Sequence, residues 1–272
     1  MKKSIAELVF ADSLFILFLS LSSVFSGIAS ALFRFIAFAL PVVLLLFRWK
    51  SEKTEIYRIS TSPTKQGFKL TAYFLFPTIL IIILFSFLSE FFLTTLFGVE
   101  SASTDVSGNI LYVIAVRALA PAIFEEMLFR YLPLRALGSH SLKLAIIYSS
   151  ALFALSHCNL FQIPYALVAG VLFASLDLAA GSIAPSVIIH FVNNLFSILM
   201  VRADDTGSVS LILFISIAVL SAVSIVFALL RRRELKNDFA PILEDKSKVI
   251  FTYPLEIYAV MTVFIATTSL LT

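Results

Sequence analysis

Apolar runs long enough to cross a bilayer recur from one end of this chain to the other, and that repetition constrains the fold more than any motif. A spanning helix needs about 20 mostly apolar residues, since each advances about 1.5 Å through hydrocarbon about 30 Å thick. Runs of this kind lie near 5–26, 28–47, 70–97, 109–130, 143–158, 162–180, 183–201, 209–230 and 250–271. The third is long enough to tilt or project beyond the bilayer. The last is the least secure, because Pro254 and Glu256 stand in its first turns. The expected fold is all-α: a polytopic transmembrane helical bundle of about eight or nine helices, forming one membrane-embedded domain over 1–272.

Composition agrees. Of the 272 residues, 60% are hydrophobic and 14% charged, against roughly 45–50% and about 25% in soluble domains. The 28 Phe residues suit lipid-facing and helix-packing positions, because Phe has no polar atom needing a partner. Lys2 and Lys3 before an apolar stretch resemble a signal sequence. Glu7 and Asp12 interrupt it, and no small-residue cleavage site precedes a soluble domain, so this is read as a retained first helix. A single cysteine, Cys158, permits no internal disulfide and reads as a small buried apolar residue rather than a nucleophile.

Charge placement tests the list of spans. Residues 48–69 hold Arg48, Lys50, Lys53, Arg58, Lys65 and Lys69, and residues 231–249 hold Arg231, Arg232, Arg233, Lys236, Lys246 and Lys248. Arg135 and Lys143 follow the fourth run. The alternate segments carry Glu100 and Asp105, and Arg202 against Asp204 and Asp205. With nine spans every Lys/Arg-rich segment falls on one side, which by the positive-inside rule makes the N-terminus cytoplasmic and the C-terminus external. The localisation expected is integral and multi-pass, in the cell membrane if the source is prokaryotic. The basic 48–69 segment is explained by a solvated loop beside anionic lipid, without a nucleic-acid partner.

Ionisable groups inside spans cost roughly 2.5–3.5 kcal/mol on insertion scales, so each needs a partner or a function. They concentrate in three runs: Glu125, Glu126 and Arg130 in the fourth, His157 in the fifth, and His190 with Asn193 and Asn194 in the seventh. On a helix Glu126 and Arg130 lie about 40° apart and can pair, whereas Glu125 points about 100° away from Glu126. His190 and Asn194 share a face, and His157 lies one turn after Phe153. Ion pairs that hold helices together account for Glu126 and Arg130. The whole set exceeds that need and matches the parts for activating water: a Glu to take a proton, a His to assist, and His with Asn to donate to a developing oxyanion. Arg34 and Glu90 lie near run ends, where snorkelling satisfies them. Asp177 reads as a surface or helix-end residue. Arg117 is open to tuning the cavity or pairing with a lipid headgroup.

Glu125-Glu126-x-x-x-Arg130, Phe153-x-x-x-His157 and His190-x-x-x-Asn194, in this order on successive helices, resemble the three motifs of the CPBP intramembrane proteases, relatives of the CAAX prenyl endopeptidase also called the Abi family. The segment AAGSIAPSVIIHFVNN is similar to that family's third-motif region. The resemblance covers roughly 109–200, the expected catalytic core. It implies an intramembrane endopeptidase that hydrolyses a peptide bond of a membrane-associated or prenylated, CAAX-like protein or peptide through a glutamate-activated water. By position Glu125 would be the base and His157 its partner, His190 and Asn194 the oxyanion site, and Glu126 and Arg130 supporting residues. No motif position departs from the pattern. The expected partners are membrane lipid and the protein or peptide substrate, which would reach the site from the cytoplasmic side or laterally from lipid.

No metal or other cofactor is expected. Two alternatives use the same residues. Zinc held by His157, His190 and a Glu would make a metal-dependent protease, although the fourth helix lacks an HExxH-type pair and Asn194 is a poor ligand. A non-catalytic bacteriocin-immunity or peptide-binding protein would keep the polar cluster for recognition. A transporter would be expected to show repeated halves, and none is found.

Overall fold

The computed structural model describes residues 1–52, 56–99, 106–203, 207–247 and 253–268. Among these, the chain forms ten helices: α1 (Lys2–Val24), α2 (Gly27–Glu52), α3 (Lys65–Phe97), α4 (110–137), α5 (Leu142–Ser156), α6 (Ile163–Ala180), α7 (Ala184–Ala203), α8 (Ser208–Leu230), α9 (Arg232–Leu243) and α10 (Tyr253–Thr268). Six of them, α1, α2, α3, α6, α7 and α8, are long and apolar enough to cross a membrane. The expected all-α polytopic bundle is the fold found, and outward side chains such as Phe35, Phe47, Phe91, Leu211 and Leu230 are exposed as a lipid-facing surface requires.

Helix limits follow local chemistry. Thr64 caps α3 by accepting the Gly67 N–H at 2.9 Å, and Ser141 caps α5 by accepting from Leu144 at 3.1 Å. Gly181 ends α6 with φ 64°, a left-handed conformation that glycine adopts without a Cβ clash.

The fourth helix is not a plain α-helix. Residues Ala115–Leu119 and Met127–Tyr131 are π-helical, and each segment lies just before a proline, Pro121 or Pro133. Proline has no N–H for the carbonyl four residues back, and its ring crowds that carbonyl. The widened turns accommodate this, with Ala120 N–H reaching Ala115 O and Leu132 N–H reaching Met127 O. The carbonyl that Pro133 leaves unserved, that of Phe129, accepts instead from Ser149 Oγ at 2.5 Å and Arg130 Nη1 at 3.3 Å. The two π segments thus bracket Ala120–Glu126 between irregular turns, a pattern frequent at functional sites.

Two expectations change in detail. The fourth helix continues past Arg130 to 137, because Leu132, Pro133, Leu134, Ala136 and Leu137 all bury. Residues Arg232–Leu243, read as a basic loop, form a helix that buries Leu235 and Ile242 and holds Lys69 through Asp238 at 2.8 Å. Of the run 250–271, the stretches 250–252 and 269–271 lie outside the described residues, as do Lys53, Glu100, Asp105, Asp204, Asp205 and Lys248.

Cross-links between segments identify the two ends of the bundle. At one, Tyr57 N–H donates to Arg135 O at 2.8 Å, Ser60 N–H to Gly181 O at 2.9 Å, and Ser141 Oγ to Asp245 at 2.8 Å. At the other, Arg202 donates to the carbonyls of Val106 and Gly108, at 2.6 and 2.8 Å from Nη2. The Lys/Arg-rich segments 48–52, 56–69, 135–143 and 231–247 therefore gather at one end, the grouping that the spans required.

Candidate active site

The second half of α4, the end of α5 and the middle of α7 converge on one cluster. Glu126 and Arg130 are fully buried, with Arg130 Nε 3.3 Å from Glu126 Oε2. The His190 ring nitrogen Nδ1 lies 2.8 Å from Glu126 Oε1, so Glu126 is held from two sides. A carboxylate only accepts, so His190 donates through Nδ1. Its other nitrogen, Nε2, faces Glu125 at 4.0 Å. The Glu125 side chain keeps 18% of its surface while that of Glu126 keeps none. Adjacent carboxylates on one helix thus face different surroundings, as a rotation of about 100° demands.

The cavity that Glu125 faces has a volume of about 440 Å³ and is also lined by His157, His190 and Asn194. All four residues expected to be catalytic therefore share one space, and the two supporting residues, Glu126 and Arg130, lie behind it. His157 Nδ1 stands 2.8 Å from the Phe153 carbonyl. A carbonyl accepts only, so Nδ1 carries the proton and Nε2 is left as a base. The cavity continues past Arg117, Val106 and Val201, the end away from the Lys/Arg-rich segments. Tyr165 and Ser197 also line a neighbouring cavity of about 190 Å³ between α3, α6 and α7, which includes Glu90 and Asn193. A larger cavity, about 770 Å³ between α1 and α2, involves none of the candidate residues.

Three residues have roles here that the sequence reading did not assign. Phe153 marked a motif, but its ring lies 4.3 Å under the Arg130 guanidinium carbon and meets His157 and His190 edge-on, with centroids 4.9 and 5.9 Å apart. Phe173 of α6 packs against His190 at 5.8 Å. Asp177, expected as a surface or helix-end residue, does lie near the end of α6 but is fully buried, with its carboxylate accepting the Ser186 N–H at 3.0 Å in the first turn of α7. Apolar or helix-end context conceals such roles until the helices are assembled.

The zinc alternative needs three ligands converging on a point. Among the described residues no three His, Cys, Asp or Glu side chains are grouped to share a metal ion.

Residues 107–196 match the family model of the Rce1-like proteins, described as type II CAAX prenyl endopeptidase. No curated protein and no solved structure matches the chain. The matched segment spans α4 to α7 and contains every candidate residue, and it supports a CPBP/CAAX protease family for this core.

Proposed function

We propose that this membrane protease core hydrolyses a peptide bond with a water molecule activated by Glu125. One observation carries the reading: Glu125 lines a polar cavity beside His190 while its neighbour Glu126 is buried and clamped. Glu125 as carboxylate takes the water proton, and the hydroxide attacks the substrate carbonyl. His157, with Nε2 unprotonated, orients that water. The tetrahedral oxyanion receives hydrogen bonds from the Asn194 amide and from His190. Because His190 already commits its Nδ1 proton to Glu126, it donates to the oxyanion through Nε2 only when both ring nitrogens carry a proton. Proton return from Glu125 to the leaving amine completes the reaction. This scheme uses no metal.

Membership of the core in the CAAX protease family supports a protein or peptide substrate carried in or on the membrane, prenylated substrates included. The concentration of Lys and Arg at one end supports a cytoplasmic placement of that end and of the N-terminus.

The test is a panel of fluorogenic peptides, half of them prenylated, incubated with the purified protein and with Glu125→Gln. Cleavage by the wild type alone, unchanged by a chelator, is the expected result. Cleavage that a chelator removes and zinc restores would transfer the reaction to a metal. A protein that binds peptides but cuts none, with Glu125→Gln behaving as wild type, would make it a binding or immunity protein.

A further inference from the structure

A cavity lined by two arginines lies at the Lys/Arg-rich end of the bundle and shares no residue with the one that holds Glu125. It has a volume of about 350 Å³, and Arg58 and Arg135 line it together with Tyr57, Ser60 and Gly181. Its walls carry no acidic side chain. Carboxylates of the same end serve other groups: Glu7 pairs with Arg48, Asp238 with Lys69 and Glu234 with Arg231, while Asp245 accepts from Ser141 and Lys143. Among the described residues no ion pair involves Arg58 or Arg135.

Both arginines are held in place. Arg135 donates through Nη1 to the Tyr131 hydroxyl, and its guanidinium carbon lies 4.7 Å from the centre of that ring. Its Nε is buried without a hydrogen-bond partner. Arg58 belongs to a strap, residues 56–64, that leads into α3. On one side of Arg58 the Tyr57 N–H donates to Arg135 O at 2.8 Å, and on the other the Ser60 N–H donates to Gly181 O at 2.9 Å. Gly138 admits the strap, since a Cβ there would lie 2.7 Å from Tyr57 Cγ. The guanidinium of one arginine and the backbone of the other are thus fixed beforehand, which lowers the ordering cost of a ligand.

Two permanent cations without an acid match a divalent anion. Guanidinium forks fit phosphate oxygens, and a phosphate monoester carries about −1.5 to −2 charges at neutral pH. We propose that Arg58 and Arg135 form a binding site for a phosphate monoester, one oxygen of which accepts from the Arg135 Nε. A diester or a carboxylate, with a single negative charge, leaves one guanidinium unmatched. The monoester is either a lipid headgroup of the phosphatidic acid type or a soluble phosphorylated compound. Bound there, it fastens the strap to the end of α4. The strap also holds the turn between α6 and α7, through Ile183 N–H to Ser60 O at 3.0 Å and Ser182 Oγ to Ser62 O at 2.7 Å. The site does not depend on the protease reading.

The full chain is placed in nanodiscs of phosphatidylcholine alone or mixed with phosphatidic acid or phosphatidylglycerol, and its thermal unfolding is followed. Inorganic phosphate is titrated into the first, with ionic strength matched by chloride. The expected result is an unfolding midpoint raised by phosphate or by phosphatidic acid, and not by phosphatidylglycerol. Arg58 is exposed, so Arg58→Gln leaves the fold intact and weakens the titration about tenfold, the loss of one charge-assisted hydrogen bond. Arg135→Lys keeps the charge without the fork and weakens it by a smaller factor. A response to inorganic phosphate identifies a soluble ligand, and a response to phosphatidic acid alone identifies a lipid. Equal stabilisation by phosphatidylglycerol and phosphatidic acid would overturn the choice of a monoester. No response to either phosphate source, or one that Arg58→Gln leaves unchanged, would overturn the site itself.

Discussion

His190 stands between two carboxylates, with Nδ1 2.8 Å from Glu126 and Nε2 4.0 Å from Glu125. One carboxylate is buried against Arg130 and the other faces the cavity, so the ring links the buried ion pair to the cavity. In the proposed reaction this geometry gives the two adjacent glutamates different tasks. A group that must exchange a proton with substrate water needs access, and a group that orients a histidine needs to be immobile.

Substituting the two glutamates is expected to separate these tasks. Glu125→Gln keeps the shape of the cavity and loses the base, so turnover falls about 10²–10⁴-fold with little change in unfolding. Glu126→Ala leaves Arg130 buried without its partner, which costs about 3–5 kcal/mol and also frees His190. Turnover and thermal unfolding in detergent, measured side by side, check the contrast. Equal destabilisation by both substitutions would contradict it.

Phe153 is expected to act through what it touches. Its ring supports the Arg130 guanidinium at 4.3 Å and the edges of both histidines. Phe153→Leu removes a cation–π contact worth about 0.5–2 kcal/mol and leaves both rings less restrained. The expected outcome is a fall in kcat of about tenfold with a smaller change in KM, measured on a cleavable peptide. An unchanged kcat would make Phe153 a packing residue only.

The helical fold was legible because membrane insertion writes itself as long apolar runs, and eight of the nine expected spans lie within a few residues of helices α1 to α8. The site was legible because charge inside those runs is rare: Glu125, Glu126, Arg130, His157 and His190 stood out by cost alone. Asp177 did not, since a carboxylate near a helix end reads as solvated until the next helix is seen to start upon it. The helix Arg232–Leu243 was hidden for a related reason: its many charges resemble a loop, and only Leu235 and Ile242 mark the buried face. The π segments required knowing that Pro121 and Pro133 lie inside one continuous helix rather than at its end.

Asp245 ties the segment after α9 to the start of α5, and this contact is expected to fail in acid. Its carboxylate accepts from Ser247 N–H at 2.9 Å, Lys143 N–H at 3.0 Å and Ser141 Oγ at 2.8 Å, while Lys143 Nζ donates to the Asp245 carbonyl. These hydrogen bonds, those from Ser247 foremost, hold the carboxyl below its ordinary range. A lowered folded-state value stabilises the fold above the unfolded pKa of about 3.9, and that contribution is lost as pH falls below it. Proteolysis after α9 should therefore accelerate below about pH 4 in the wild type. Asp245→Asn should be cut readily at neutral pH, with a flatter response to acid. Identical profiles for the two proteins would show that the contact does not hold this segment.

Gly170 decides how closely α6 approaches α5. A Cβ at this position would lie 2.8 Å from both Cα and Cβ of Ser150, a contact that no rotamer change relieves because the obstacle is the facing backbone. Ala is the better helix former by about 1 kcal/mol, so propensity alone favours Gly170→Ala. Overpacking opposes it by about 1–3 kcal/mol and wins where the neighbour is backbone. The consequence extends to the site, because α5 ends at His157 and α6 carries Phe173 against His190. Gly170→Ala should therefore lower both the unfolding midpoint and kcat. Adding Ser150→Gly removes one of the two close atoms and should restore part of each. A Gly170→Ala protein as stable and active as wild type would mean that the two helices separate without disturbing His157 or His190.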